Sequence, residues 1–379
     1  MFKILLVYLL FIQITNAEDN SLKKITLQLS WLNQFQFAGY YVAKEKGFYK
    51  ESGLDVDIRP FEFGINVPHE IISGNVDFAI GRETLIIEKA KNYDIVSLYA
   101  LFQSSPLVLL SLKKSNINTI NDFTNKTIMT TIDDSSEASI KAMISSHKID
   151  FRTLNFIPHT HNINDLIDKK TDVISAYSSK APYELEKLGI EYNTFSPKDY
   201  GFDMYSDFLY TNKKYLVNNK DNVIKFKEAS LKGWEYAFNN IEESVNLILE
   251  KYNSQNLTKE ELIYEANQLK KLAYENTDTL GKIDKNKVQR IHDLYNIMGL
   301  LPNKVDINDF VYEKNRSLNI FSSEELQLIK SKPILKVGIR NDFKPFTFSN
   351  NLGEREGIIH DYLNLISQKT GLKFKYEIN

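Results

Sequence analysis

The chain of 379 residues contains no cysteine. That excludes disulfides, thiolate metal sites and cysteine nucleophiles together, so packing must stabilise it. Charge of one sign is also missing: the formal net charge is −2, and nothing draws the chain to nucleic acid or an anionic surface. Its six histidines (His69, His147, His159, His161, His292 and His360) show no metal-site spacing. His159-x-His161 brings two together, but a polar loop is the plainer reading. Long apolar runs are absent too. Ile4 to Ile14, about 11 residues, falls short of the roughly 20 that cross a membrane. Lys3 precedes this run, and Thr15-Asn16-Ala17 and then Glu18-Asp19 follow it. That is the layout of a secretory signal peptide, residues 1–17, cleaved after Ala17. The expectation is a mature protein exported to the periplasm or beyond.

What the chain has is aromatic: 21 Tyr and 23 Phe, more than a core alone usually takes. Pockets for flat ligands use such side chains. Hydrophobic residues make up 42% of the sequence, enough for a full core or two. Alternation predicts strands over Lys24–Leu29, Leu54–Ile58, Val76–Ile80 and Ile95–Ala100, with helices over Ala38–Lys46 and Thr84–Ala90 between them. Gly47 is the expected left-handed helix stop. Leu107 to Leu112 lacks polar alternation, as a strand buried on both faces would. A second block follows, with strands over Thr127–Thr131, Thr153–Ile157 and Val173–Tyr177 and a helix over Ser135–Ser146. Asp207–Thr211 then reads as a strand leading away. The pattern predicts an α/β fold with largely parallel sheets, in two blocks joined by two crossings.

From Asn222 the spacing turns helical, with Asn240 and Glu243 as a predicted cap, and further helices over Lys259–Tyr274 and Asp284–Met298. Ser322 with Glu325 makes a capping box, with Phe321 and Leu326 placed for a hydrophobic staple. After Pro333 a fresh strand, Leu335–Ile339, opens another α/β pattern. The residues left after it are too few for a usual domain. The expected divisions are 18–312 for the first domain, 313–333 for a linker helix and 334–379 for an incomplete second domain.

Trp31 to Tyr49 (WLNQFQFAGYYVAKEKGFY) is the most informative stretch. With Glu51 to Val56, Ile72-Ser73-Gly74, Val76-Asp77-Phe78, Gln103 to Pro106, Tyr200-Gly201, Tyr205, Asp207 and Gly233 to Ala237, it resembles the thiamine-pyrimidine synthase and precursor-binding family. The resemblance covers residues 24 to 312. It implies a type 2 periplasmic-binding fold, with two hinged lobes and a ligand cleft.

Strand ends in α/β folds are where ligands bind. Trp31 and Tyr40 are candidates to stack on a flat ring, with Gln34 bonding its edge; the alternative for Trp31 is a core aromatic, and the stacking role is favoured. Arg82 and Glu83 follow another strand end and suit a polar ligand, or form a surface ion pair. Gln103 and Ser104 share that logic at a third. Ser135 and Ser136 precede a helix and either hold an anionic group or cap it. Tyr177 would close from the second block, and Tyr205 comes from a matched motif. Where the family commonly has Asn-Glu before a proline, this chain has Lys180-Ala181 before Pro182, which departs from the usual ligand's site.

Enzymes of this family consume pyridoxal phosphate and a histidine of their own. The positions matching their lysine and histidine are Gly81 and Leu85, and their cysteine cluster has no counterpart. Without the amine there is no Schiff base. The expectation is a non-catalytic binder with no cofactor, whose partners are a small ligand and either a membrane sensor module or an ABC permease. Phe321 to Phe348, continuing to Gly371-Leu372, is similar to the start of an amino-acid-type solute-binding domain, as in tandem-domain bacterial sensors. That favours a sensory input over a stand-alone transport component.

Overall fold

A computed structural model describes residues 22–131, 138–313, 327–329, 331, 334–350 and 354–378. The chain forms two compact units, 1–314 and 315–379. The expected signal peptide and the capping box at Ser322 and Glu325 lie outside the described residues.

The first unit holds two five-stranded sheets. Strands β1 (Lys23–Gln28), β2 (Leu54–Arg59), β3 (Phe78–Gly81), β4 (Ile95–Phe102) and β10 (Ser206–Asn212) make one sheet, in the order β2-β1-β3-β10-β4. Strands β5 (Leu107–Leu112), β6 (Thr127–Thr130), β7 (Asn155–Pro158), β8 (Val173–Tyr177) and β9 (Tyr192–Phe195) make the other, in the order β7-β6-β8-β5-β9. Lobe one is therefore 22–102 with 206–313, and lobe two is 107–195. The expectation of largely parallel sheets is corrected: β10 runs antiparallel to β3 and β4, and β5 antiparallel to β8 and β9. Each of these strands arrives from the other lobe, and a returning chain enters its sheet against the direction of its neighbours.

β5 shows why its sequence lacks alternation. Leu107 and Leu109 pack into one apolar cluster with Ile128 and Val173, while Val108, Leu110 and Leu112 pack into another with Met129 and Ile174. Both faces are covered.

In lobe one the helix Ala38–Glu45 lies against the helix Lys220–Asn239. Two glycines permit that approach. A Cβ on Gly233 would fall 2.1 Å from the Gly39 carbonyl oxygen, and one on Gly39 would fall 2.2 Å from the Trp234 ring. The Ala38–Ala43 and Gly233–Ala237 segments thus serve backbone packing. Asn240 makes no side-chain cap; its Nδ2 donates to the Tyr236 carbonyl at 3.0 Å, and Glu243 accepts from Lys46 and from the Tyr236 hydroxyl.

In the second unit β11 (Ile334–Ile339) pairs parallel with β15 (Lys373–Ile378), and β12 (Asp342–Phe343), β13 (Thr347–Ser349) and β14 (Arg355–Glu356) form a small antiparallel sheet. The helix Ile358–Thr370 exposes Ile358, Ile359, Tyr362 and Leu365. Its apolar stripe is exposed within the unit.

Candidate functional site

Two crossings join the lobes. The first, 103–106, follows β4 into β5. The second, 196–205, returns from β9 through the 3-10 turn Pro197–Tyr200 into β10. Facing ends of the two sheets form a cleft. The loop after β1, the residues after β3 and the start of β10 contribute from lobe one. The turns after β7 and β8 contribute from lobe two.

The lobe-one wall is polar and buried. Gln36 Nε2 donates to both oxygens of Asp207 at 2.9 and 3.1 Å, and Ser206 Oγ donates to the same carboxylate at 3.2 Å. Gln34 Nε2 donates to Gln36 Oε1 at 2.7 Å. Glu265, from the helix Lys259–Ala273, accepts the backbone N–H groups of Phe35 at 2.9 Å and Gln36 at 3.1 Å, and so pins this loop. Asp207 is 2% exposed and has a φ of +52°, in the left-handed region. Non-glycine residues held there concentrate at functional sites. Burial pushes the Asp207 carboxyl up to about 7, against the bonds from Gln36 and Ser206 and the Arg82 charge. Burial does the same to Glu265, also to about 7, against the Phe35 and Gln36 N–H groups. Glu83, 2% exposed, is raised by burial too, and Arg82 opposes the shift.

Contacts between described residues cross the cleft. Arg82 Nη1 donates to the Tyr177 hydroxyl at 3.4 Å. Trp31 meets His161 with ring centroids 5.3 Å apart, and its ring also stacks on Phe61 at 5.4 Å, with Phe63 edge-on at 5.9 Å. His161 has a φ of +60°, and its N–H donates to His159 Nδ1 at 2.7 Å. His159 Nε2 bonds the Ser175 carbonyl at 2.6 Å, so its proton sits on Nε2. Burial, then the charges of His159 and Lys180, lowers the His161 pKa. At the far flank Tyr183 of lobe two packs on Tyr264 of lobe one at 5.1 Å, beside a cavity lined by Gln34, Lys180 and Glu265.

Of the expected residues, Trp31, Gln34, Arg82 and Tyr177 meet at this cleft, and Glu83 adjoins it. Tyr40 does not: it is 1% exposed, its ring lies edge-on to Trp234, and its hydroxyl accepts a bond from Tyr99 at 2.8 Å. Packing of the two helices consumes it. Tyr205 belongs to the second crossing, where its hydroxyl accepts the Asp284 N–H at 2.9 Å. Gln103 is likewise taken up by the first crossing, its Nε2 donating to the Ala100 and Lys282 carbonyls. Ser104 is buried there. Ser135 and Ser136 lie outside the described residues. Unanticipated were Gln36, Asp207, Glu265, Phe61 and His161. Glu265 left a readable sign: it shares a helix face with Leu262, Ala266 and Leu269, an acid on an apolar stripe. Asp207 stood in a matched motif at the start of β10 and His161 in the His159-x-His161 pair, neither read as a binding residue, while Gln36 and Phe61 carry no period to mark them.

A formylaminopyrimidine-binding protein of Halalkalibacterium halodurans is 25% identical over 240 residues, covering 62% of this chain and 72% of that protein. The riboflavin-binding protein RibY of Chloroflexus aurantiacus is 24% identical over 249 residues, 62% of this chain and 68% of that one. Both are named as binding proteins, and the non-catalytic reading of this chain rests on such relatives. Among solved structures, the ligand-binding component of an ABC-type import system from Staphylococcus aureus superposes with a TM-score of 0.59 at 17% identity, covering 78% of this chain and 99% of that one. That likeness gives the fold, a periplasmic-binding α/β architecture in two lobes. Residues 34–244 match the family described as NMT1/THI5 like. The match spans more than half of the chain, which therefore belongs to that family.

Proposed function

We propose that residues 24–312 bind a small flat solute bearing amine or ring-nitrogen donors, outside the cytoplasm, by closing lobe two onto lobe one without turning the solute over. The observation that carries this is the acidic wall. Asp207 and Glu265 are buried carboxylates at the cleft, and an anion placed there would face their repulsion. A donor-bearing edge would instead favour the ionised forms of carboxyls that burial holds up to about 7, and so receive charge-assisted hydrogen bonds as it binds. The aromatic group of Trp31, Phe61 and His161 suits a flat ring, and the pyrimidine and flavin in the relatives' names belong to that class. A thermal-shift screen of aminopyrimidines, thiamine precursors, amino acids and sulfonates tests it, because a solute selective for the folded state raises the melting point by mass action. The expected result is a shift with an aminopyrimidine and none with a sulfonate; a shift with sulfonates alone would refute it.

The role favoured for this binding is the input of a membrane receptor, with transport through an ABC permease as the other reading. Support comes from the second α/β unit, with its helix Ile358–Thr370 and paired strands β11 and β15. Transport by this fold needs one binding domain. The gene beyond Asn379 would encode a membrane span and a cytoplasmic output module if the receptor reading holds, and secreted protein would begin at Glu18.

A further inference from the structure

We infer that Lys287 is a positioning residue for lobe closure: one ammonium, rooted in lobe one, ties both crossings together and sets the hinge between the lobes. The inference rests on the reading that the lobes close on a solute, but its geometry is independent of any ligand. Lys287 lies on the helix Lys285–Ile297 and is 9% exposed. Its Nζ donates to the Gln103 carbonyl of the first crossing at 2.5 Å and forms an ion pair with Asp203 of the second. It also lies 4.6 Å from the ring centroid of Tyr205, again on the second crossing. An ammonium offers three donors, and here its surroundings are a carbonyl, a carboxylate and an aromatic face. The rest of the crossings is tied to the same helical layer. The Gln103 N–H donates to the Leu272 carbonyl at 2.9 Å, the Asp284 N–H donates to the Tyr205 hydroxyl at 2.9 Å, and Lys198 pairs with Glu275.

Two strands of chain crossing between lobes would form a soft hinge if left to solvent. Gathered onto one buried cation, they move together or not at all. Burial lowers the Lys287 pKa, and Asp203 opposes that shift. Among the described residues the Lys287 ammonium meets Gln103, Asp203 and Tyr205 and not Gln34, Gln36 or Asp207, so it acts on the solute through the crossings and not by touching it.

The test is amide hydrogen exchange on the solute-free protein, read at Gln103 and Asp284, with Lys287→Met against the wild type. Methionine keeps the apolar stem over Tyr205 and removes all three donors. Exchange at both amides is expected to quicken about tenfold, while amides of β6 and β8 in lobe two keep their protection. Lys287→Arg should restore most of the protection. Asp203→Asn leaves the ammonium in place and cuts only its tie to the second crossing; it should loosen Asp284 and spare Gln103, and it serves if Lys287→Met fails to fold. Wild-type exchange at both amides in Lys287→Met, or in Asp203→Asn where that variant serves, would overturn the inference. A solute screen that finds no ligand would instead defeat the functional reading and leave the exchange result standing.

Discussion

Asp77 precedes β3 in lobe one and accepts the Thr26 N–H at 2.8 Å; Asp172 precedes β8 in lobe two and accepts the Thr127 N–H at 2.8 Å. The same carboxylate device thus ends a parallel strand pair in each lobe. Behind it the lobes part ways. Trp234, Tyr40, Tyr41, Tyr49, Tyr99, Tyr210 and Tyr295 are fully buried, and all lie in lobe one. Lobe two is filled by mostly aliphatic clusters on the two faces of β5, β6 and β8, with Phe123 edge-on to Phe195 as a buried aromatic pair. The polar groups divide in the same way. Lobe one holds its carboxylates dry and bonded, whereas lobe two offers Tyr177, His161 and Lys180 from turns at its strand ends. A heavily packed half keeps recognition groups in fixed geometry at a cost in desolvation. A half with lighter side chains only needs to arrive. Under the proposed function, that division would let one lobe specify a solute and the other cover it.

The comparison can be broken first by pH. Asp207 and Glu265 hold protons in the folded state up to about 7, while their unfolded forms lose them near 4. Between those values the folded state binds more protons, so stability falls as pH rises from 4 to 8. For Asp207 alone a shift of that size is worth roughly 4 kcal/mol. Urea denaturation across this range should show the decline, and Asp207→Asn should lessen it and leave the Glu265 share; a wild-type curve without slope would mean that the lobe-one acids are not held dry. Gly233→Ala comes next. Its Cβ would strike the Gly39 carbonyl, and we expect the unfolding free energy to fall by about 3 kcal/mol, read as a lower denaturation midpoint. In lobe two, Ile174→Val should cost about 0.5–1.5 kcal/mol. An unchanged midpoint for Gly233→Ala would show that the helices can part without penalty.

How much of this could be read in advance follows from what leaves a period in a sequence. Strands such as Leu107–Leu112 and Val173–Tyr177 were legible to the residue, because apolar runs bounded by turn residues are local signals. Strand direction was not: β10 carries the same pattern either way round, and only its arrival from lobe two makes it antiparallel. β9 escaped notice because Tyr192 to Phe195 buries only its last residue. At the site, residues at strand ends (Trp31, Arg82, Tyr177) were within reach of a rule about where α/β folds bind. Tyr40 was drawn in by its neighbours in a motif whose purpose is helix packing. Asp207 stood in a recognised motif, yet its left-handed backbone and its bond to Gln36 arise only when chain 171 residues apart is brought together.

Smaller effects sharpen the account of lobe two as a cover. Trp31→Ala removes the ring that meets His161 across the cleft and should weaken solute binding by about 0.5–1.5 kcal/mol, measured by calorimetry. Tyr177→Phe deletes one long hydrogen bond to Arg82 and should cost less, under about 1 kcal/mol, with no change in the denaturation midpoint. If Tyr177→Phe proved the more damaging of the two, recognition would lie in lobe two.

The central claim is that a buried carboxylate in lobe one selects the solute. Calorimetric titration of the best aminopyrimidine from the screen into wild type and Asp207→Asn tests it most directly. Hydrogen bonds to charged groups are worth about 1.5–3 kcal/mol, so the variant should bind more weakly by roughly ten- to a hundredfold. Equal affinity in the two proteins would contradict the claim.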